Sequence, residues 1–378
     1  MSALVCPYQP SCPGCPRLAE QGTPPRALER LNELAQRSGL PTPEIFGGRR
    51  TGFRYRARLA IRGRAAAPKL GIFQSGTHQV VHIPDCLVHH PRINRVAGAV
   101  RGALARHGVS TYSDQAHQGF ARYLQIVIER ESDRAQLVLI TNSDSPAGLE
   151  RAFSELSAEL GAGLHSLWWN GNPLHGNAIL GPHWCQLSGE RFVLDRSGSA
   201  RVFYPPGAFG QSHLELASKL GERVRSFAES GMRVVEYYAG TGAIGLGLAG
   251  VVQSLDLNEI GEGSLEGLRR GVEALPQALR QQVRIHAGTA GSHAGLVGNA
   301  ELVIADPPRK GLDPELLSAL VQHPPARFAY VACDTDSFLR DAERLLSGGA
   351  LRLELLEAYD LFPHTEHIET LALFSRGR

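Results

Sequence analysis

Residues 234–250 read VVEYYAGTGAIGLGLAG. A β-branched apolar run passes directly into Gly240, Gly242 and Gly245, spaced G-x-G-x-x-G. Glycines so placed let the backbone turn sharply and approach a ligand closely where a helix opens. The stretch therefore predicts the first strand–turn–helix unit of a doubly wound sheet, and its neighbours keep the same rhythm. An amphipathic helix, SHLELASKLGERVRSFAES (212–230), precedes it. After it come the strands QSLDLN (253–258), ELVIAD (301–306) and ARFAYVAC (326–333), with a helix after Pro314 between the last two. Strands alternating with helices imply an α/β, Rossmann-like domain over 206–378.

The same residues suggest a cofactor. An acid ending the second strand of such a unit holds ribose hydroxyls; Glu259 and Asp256, 17 and 14 residues beyond Gly242, both have the reach. The glycine turn alone suits NAD, FAD or S-adenosylmethionine. Glu236, at the end of the first strand, favours S-adenosylmethionine, whose sites often use an acid there toward the methionine part. In LVIADPPRKGL (302–312), Pro307 and Pro308 stiffen a loop that carries Asp306 and Arg309 beyond a strand end.

Cys333 follows the next strand and belongs at the same edge of the sheet. YDLFPHTEHIETLALFSR (359–376) brings Glu369 close to the C-terminus. A thiol, a carboxylate base and a methyl donor have one specific joint use. Uracil C5 is a poor nucleophile until a thiolate adds at C6, and a base must afterwards remove the C5 proton so that the thiol leaves.

The front half is of a different kind. Residues 1–110 hold 16 Lys and Arg against 5 Asp and Glu, a net +11, while the remainder holds 23 against 32, a net −9. RRTGFRYRARLAIRGR (49–64) interleaves arginines with Phe53 and Tyr55, and Arg54, Tyr55, Arg56 and Arg58 are candidates for RNA contact. Cys6, Cys12 and Cys15, spaced C-x5-C-x2-C, and Cys86 supply four thiols for a [4Fe–4S] cluster or zinc, a choice that spacing leaves open. Cys185 reads as a buried hydrophobe. Short strands (YRARLAIRG, KLGIFQ, HQVVHIP), helices over 92–107 and about 146–160, and the strands YLQIVIER and AQLVLIT continue to about residue 200. The expected domains are a cysteine-rich basic region (1–90), a central α+β domain (91–205) and the Rossmann-like domain (206–378). With neither an apolar run of membrane-spanning length nor a signal-peptide pattern, the expectation is a cytoplasmic monomer.

DPPRKGL, the strand ending in Cys333 followed by CDTDSFLRD (333–341), and FPHTEHIET occur in an order that resembles the RNA 5-methyluridine methyltransferases of the TrmA and RumA type. YPPGAFGQSHLELASKL (204–220) resembles that family's Phe-x-Gln-x-Asn segment, with His213 in place of Asn. The resemblance implies a class I methyltransferase that methylates C5 of an RNA uridine from S-adenosylmethionine, ribosomal RNA being favoured over tRNA. Cys333 is then the nucleophile, Glu369 the base, and Asp306 a contact to uracil or cofactor. Gln211, Tyr238 and Glu259 line the cofactor. Likeness to the iron–sulfur branch implies the [4Fe–4S] cluster, here without an extra N-terminal β-barrel. Ala332-Cys333-Asp334-Thr335 stands where the family has Ser-Cys-Asn-Pro, which predicts a looser loop and an Asp334 carboxylate that raises the thiol pKa. The alternative is an RNA-binding protein that keeps the fold with weakened catalysis.

Overall fold

The computed structural model describes residues 4–20 and 22–377. The chain forms two compact units, one of residues 4–20 with 49–194, the other of residues 22–48 with 195–377. The expected boundaries at residues 90 and 205 differ from these. A seven-stranded sheet runs across residue 90, in the order Val80–His82, Ala67–Phe73, Arg56–Arg64, Ala121–Ile128, Ala135–Thr141, Leu164–Gly171, His183–Gly189. Residues 22–48 join the other unit for a physical reason. Leu31, Leu34 and Ala35 of helix Pro25–Arg37 are buried in the same core as Val303, Phe328 and Phe374, and Glu44–Phe46 pairs in parallel with Glu357–Tyr359.

In the first unit, Ala57, Leu59 and Ile61 alternate inward along Arg56–Arg64 and meet Ile93, Val96 and Val100 of helix Pro91–Arg106. Arg62 is buried too. It donates two hydrogen bonds to Asp114, at 2.6 and 2.7 Å, and lies within 5.2 Å of the Phe73, Tyr112 and Tyr123 rings.

The second unit holds eight strands in the order Glu44–Phe46, Leu351–Tyr359, Glu369–Arg376, Arg327–Ala332, Leu302–Ala305, Arg233–Tyr237, Ser254–Glu259, Val283–Ala287. Only the contacts of Glu369–Arg376 with its two neighbours are antiparallel; the others are parallel. The strand order reverses between Arg233–Tyr237 and Leu302–Ala305, and a crevice opens beyond the carboxyl ends of the strands at such a point. The expected Rossmann-like fold is therefore present, with one difference. The glycine turn leads into a single 3₁₀ turn, Gly245–Leu248, rather than an α-helix, because Gly245, Gly247 and Gly250 interrupt it with poor helix formers. Among the described residues no helix is long and apolar enough to cross a membrane.

Helix Glu262–Glu273 docks tightly on strand Ala200–Tyr204 through Gly267, where a Cβ would lie 2.1 Å from the Phe203 carbonyl oxygen and 3.0 Å from Thr241 Cγ2 of the glycine turn. Backbone cannot yield as a flexible side chain would. Gly267→Ala is expected to destabilise the protein by about 1–3 kcal/mol, read as a lowered thermal midpoint; an unchanged midpoint would show that this close approach is dispensable.

Candidate active site

Strand Arg233–Tyr237 ends beside Leu302–Ala305, with Glu236 opposite Ile304 and Tyr237 opposite Ala305. The turn that follows is held in left-handed backbone at Tyr238 (φ 58°), Gly240 (58°) and Gly242 (85°). Glu259 closes it: one carboxylate oxygen accepts from Gly240 N–H at 2.8 Å, the other from Ile260 and Gly261 N–H at 2.9 and 2.6 Å. Asp256 is engaged elsewhere, 2.6 Å from His286 Nε2. Of the two candidate ribose acids, Glu259 is thus the one at the glycine turn.

Glu236 is buried, and its Oε2 has no hydrogen-bond partner. A Cβ at Gly245 would lie 2.1 Å from that oxygen, so glycine there makes room for the carboxyl. Burial, reinforced by Asp306, pushes Glu236 up to about 8. The Tyr238 hydroxyl accepts from Asp313 N–H at 2.9 Å. Gln211 is partly exposed in the turn before helix Leu214–Arg225. His213, the substitute for Asn, is buried and caps that helix, its Nδ1 accepting from Leu216 N–H at 3.5 Å.

The reactive groups meet one strand further along. Ala332 pairs with Thr370 across antiparallel strands, so Cys333 and Glu369 leave the sheet at the same end. Ala305 pairs with Tyr330, which brings Asp306 to that end as well. Both carboxyl oxygens of Glu369 are buried without a hydrogen-bond partner, and burial, then Asp306, holds its pKa well above the ordinary value. Asp306 is only partly covered as a residue, yet burial of its carboxyl raises it to about 7. The Cys333 thiol is pushed up to about 11 by burial first, then by Glu369 and Asp306, while Arg309 works in the opposite direction.

Asp334 behaves differently from expectation. Its carboxylate accepts from Ser337 N–H at 2.9 Å and caps helix Thr335–Ser347, and the acids acting on the thiol are instead Glu369 and Asp306. That cap anchors the loop where proline was missing. Sequence reading also passed over the role of Asp341, buried on this helix and bonded to the loop after Asp306; its only sequence signal was the Arg-Asp pair ending CDTDSFLRD.

In the first unit, Cys6, Cys12, Cys15 and Cys86 line one cavity of about 170 Å³ together with Tyr8, Arg54 and His89. Tyr8 accepts from Asp85 N–H at 3.1 Å, tying the two cysteine-bearing segments together, and Asn94 of helix Pro91–Arg106 donates to Cys86 O at 3.1 Å. Burial, then the neighbouring thiols, pushes Cys15 up to about 11. Among the described residues, no three or more His, Cys, Asp or Glu side chains are arranged as a metal site. Cys185 is partly buried on strand His183–Gly189.

The RNA-contact candidates separate. Arg54 lines the cysteine cavity. Phe53 is core, and Tyr55 packs with its ring centroid 4.7 Å from that of His90. Arg56 is half-exposed, and Arg58 donates to Gln125 at 2.7 Å from an exposed position.

Residues 199–377 match the family model described as tRNA (Uracil-5-)-methyltransferase. An uncharacterized RNA methyltransferase of Protochlamydia amoebophila is 35% identical over 99% of this chain and 98% of its own. One of Gloeobacter violaceus is 30% identical over 95% and 78%. The crystal structure of Pyrococcus abyssi tRNA (uracil-54, C5)-methyltransferase with S-adenosyl-L-homocysteine has the same fold, with a TM-score of 0.77 at 23% identity, over 97% of this chain and 86% of that one.

Alkylation of Cys333 by iodoacetamide, followed by peptide mass spectrometry, is expected to titrate near pH 11. Glu369→Gln removes a negative charge facing the thiol and should move that titration to lower pH. An unmoved or raised value would mean that Glu369 does not face the thiol.

Proposed function

This chain belongs to the RNA uracil-5 methyltransferase family, and from that membership we propose that it methylates C5 of a uridine through a covalent bond between Cys333 and uracil C6. The observation that carries the proposal is the convergence of Cys333, Glu369 and Asp306 at one end of adjacent strands. S-adenosylmethionine supplies an electrophilic methyl group. Glu259 beside Gly240 suits its ribose, and Gln211, Glu236, Tyr238 and Gly242 are the further candidates for holding it.

The chemistry asked of the side chains is defined. The Cys333 thiolate adds to C6, and the electron pair displaced from the C5=C6 bond makes C5 the nucleophile that takes the methyl group. Glu369, as carboxylate, then accepts the C5 proton. The C5–H electron pair restores the double bond, the C6–S bond breaks, and thiolate is released. Arg309 opposes the carboxylates acting on the thiol, and Asp306 is suited to contact the uracil ring. A buried carboxylate with few hydrogen bonds is a strong base once ionised, which fits Glu369.

We further propose that Cys6, Cys12, Cys15 and Cys86 hold a [4Fe–4S] cluster, since four thiols line one cavity and four cysteine thiolates are the ligand set such a cluster takes. The cluster would brace the front segment against the connection between strand Val80–His82 and helix Pro91–Arg106, which carries Cys86. Arg56 and Arg58 remain the proposed RNA contacts of the arginine-rich stretch, with ribosomal RNA taken before tRNA.

Labelled methyl transfer from S-adenosylmethionine to ribosomal RNA and to tRNA, with nucleoside analysis, tests the reaction. Wild type is expected to produce 5-methyluridine and Cys333→Ala none. RNA binding without transfer by wild type would favour the weakened-catalysis alternative. For the cluster, iron and sulfide content with visible absorption is expected in wild type purified without oxygen and lost in Cys86→Ala; zinc in place of iron would overturn that assignment.

A further inference from the structure

We propose that Asp341 is a positioning residue that sets the Asp306–Arg309 loop against Cys333. This rests on the reading of Cys333 as the nucleophile. Asp341 lies on the helix that leaves Cys333 and is 1% exposed. Its Oδ2 accepts from Leu312 N–H at 2.9 Å and from the Tyr330 hydroxyl at 2.9 Å. Its Oδ1 accepts from Arg340 Nε and one terminal nitrogen at 3.0 and 2.9 Å, and that nitrogen also donates to Lys310 O at 2.7 Å. One carboxylate therefore joins three pieces of the site: the strand that delivers Cys333, through Tyr330; the helix that leaves it; and the loop carrying Asp306 and Arg309, through Leu312 and Lys310.

The loop is shaped to receive this carboxylate. Gly311 has φ 85°, and a Cβ there would lie 2.4 Å from Asp341 Oδ2 and 2.5 Å from an Arg340 nitrogen. At its far end the same loop is bonded to Tyr238 through Asp313 N–H, and Asp313 in turn accepts from Gly291 N–H at 3.1 Å. It is thus suspended between the glycine turn and the cysteine helix. Arg309 and Asp306 act on the thiol in opposite senses, so a displacement of the loop changes the balance of charge that Cys333 experiences. An amide cannot replace the acid, because a carboxylate accepts at both oxygens whereas the amide turns one of these positions into a donor facing donors. Loss of acceptors in a buried network leaves its N–H and O–H groups unsatisfied.

Asp341→Asn tests this, with Arg340→Met as a second variant whose exposed side chain is replaced without disturbing the core. Four quantities are measured in each: thermal midpoint, the Kd of S-adenosylmethionine by calorimetry, kcat and KM for RNA methylation, and the pH titration of Cys333 alkylation. Expected in Asp341→Asn is a fall in kcat on the order of tenfold to a hundredfold, the scale of a misplaced reactive group. The cofactor Kd should hold and the alkylation titration should move. Arg340→Met should change kcat and the titration in the same direction by less, and it decides the matter if Asp341→Asn fails to fold. Wild-type kcat and an unmoved titration in the folded variants would overturn the proposal. Methyl transfer by Cys333→Ala would instead overturn the nucleophile assignment on which it rests.

Discussion

The register of strand Arg327–Ala332 governs the active site. It is bonded in parallel to Leu302–Ala305 on one side and antiparallel to Glu369–Arg376 on the other. Those two pairings put Asp306, Cys333 and Glu369 at a common end although 63 residues of chain separate the first from the last. Strand side chains alternate faces, so a slip of one residue would turn the thiol to the opposite side of the sheet. The buried Phe328, Tyr330, Phe374 and Ala372 guard against such a slip because each fills the core only in this register.

Crowding acids at these strand ends has an electrostatic cost that defines the resting site. Glu236, Asp306 and Glu369 all hold protons more tightly than ordinary carboxyls, and Cys333 resists ionisation for related reasons. The thiol is therefore protected at neutral pH until its surroundings change. A cationic sulfonium is the kind of ligand such a site favours, and Arg309 is the protein's own opposing charge at the thiol. Placement of that arginine depends on a loop rather than on the sheet, which gives the tethers to Asp341, Arg340 and Tyr238 their importance.

The arginine-rich stretch shows how one residue type is used in several ways. Arg62 has an inward role against Asp114 and three aromatic rings, and Arg54 joins the thiols in their cavity, while Arg56 and Arg58 keep exposure. In composition they are equivalent. A guanidinium can satisfy a buried carboxylate through paired hydrogen bonds, contribute positive charge beside thiols, or meet a phosphate, and the partner decides which.

Local pattern in the sequence determined the Rossmann-like succession of strands and helices, the glycine turn, and the strand ends that carry Asp306 and Cys333, because apolar periodicity and glycine spacing act over a few residues. Motif order determined the candidate roles of Cys333 and Glu369. Only the tertiary structure decided that Glu259 rather than Asp256 meets the glycine turn, since strand pairing selects which acid reaches the edge. It likewise decided that Asp334 caps a helix instead of facing the thiol, and that residues 22–48 complete the second unit. The common reason is range. Hydrogen-bond partners such as Leu312 for Asp341, or core neighbours such as Phe328 for Leu31, lie far off along the chain, and folding alone brings them within contact distance.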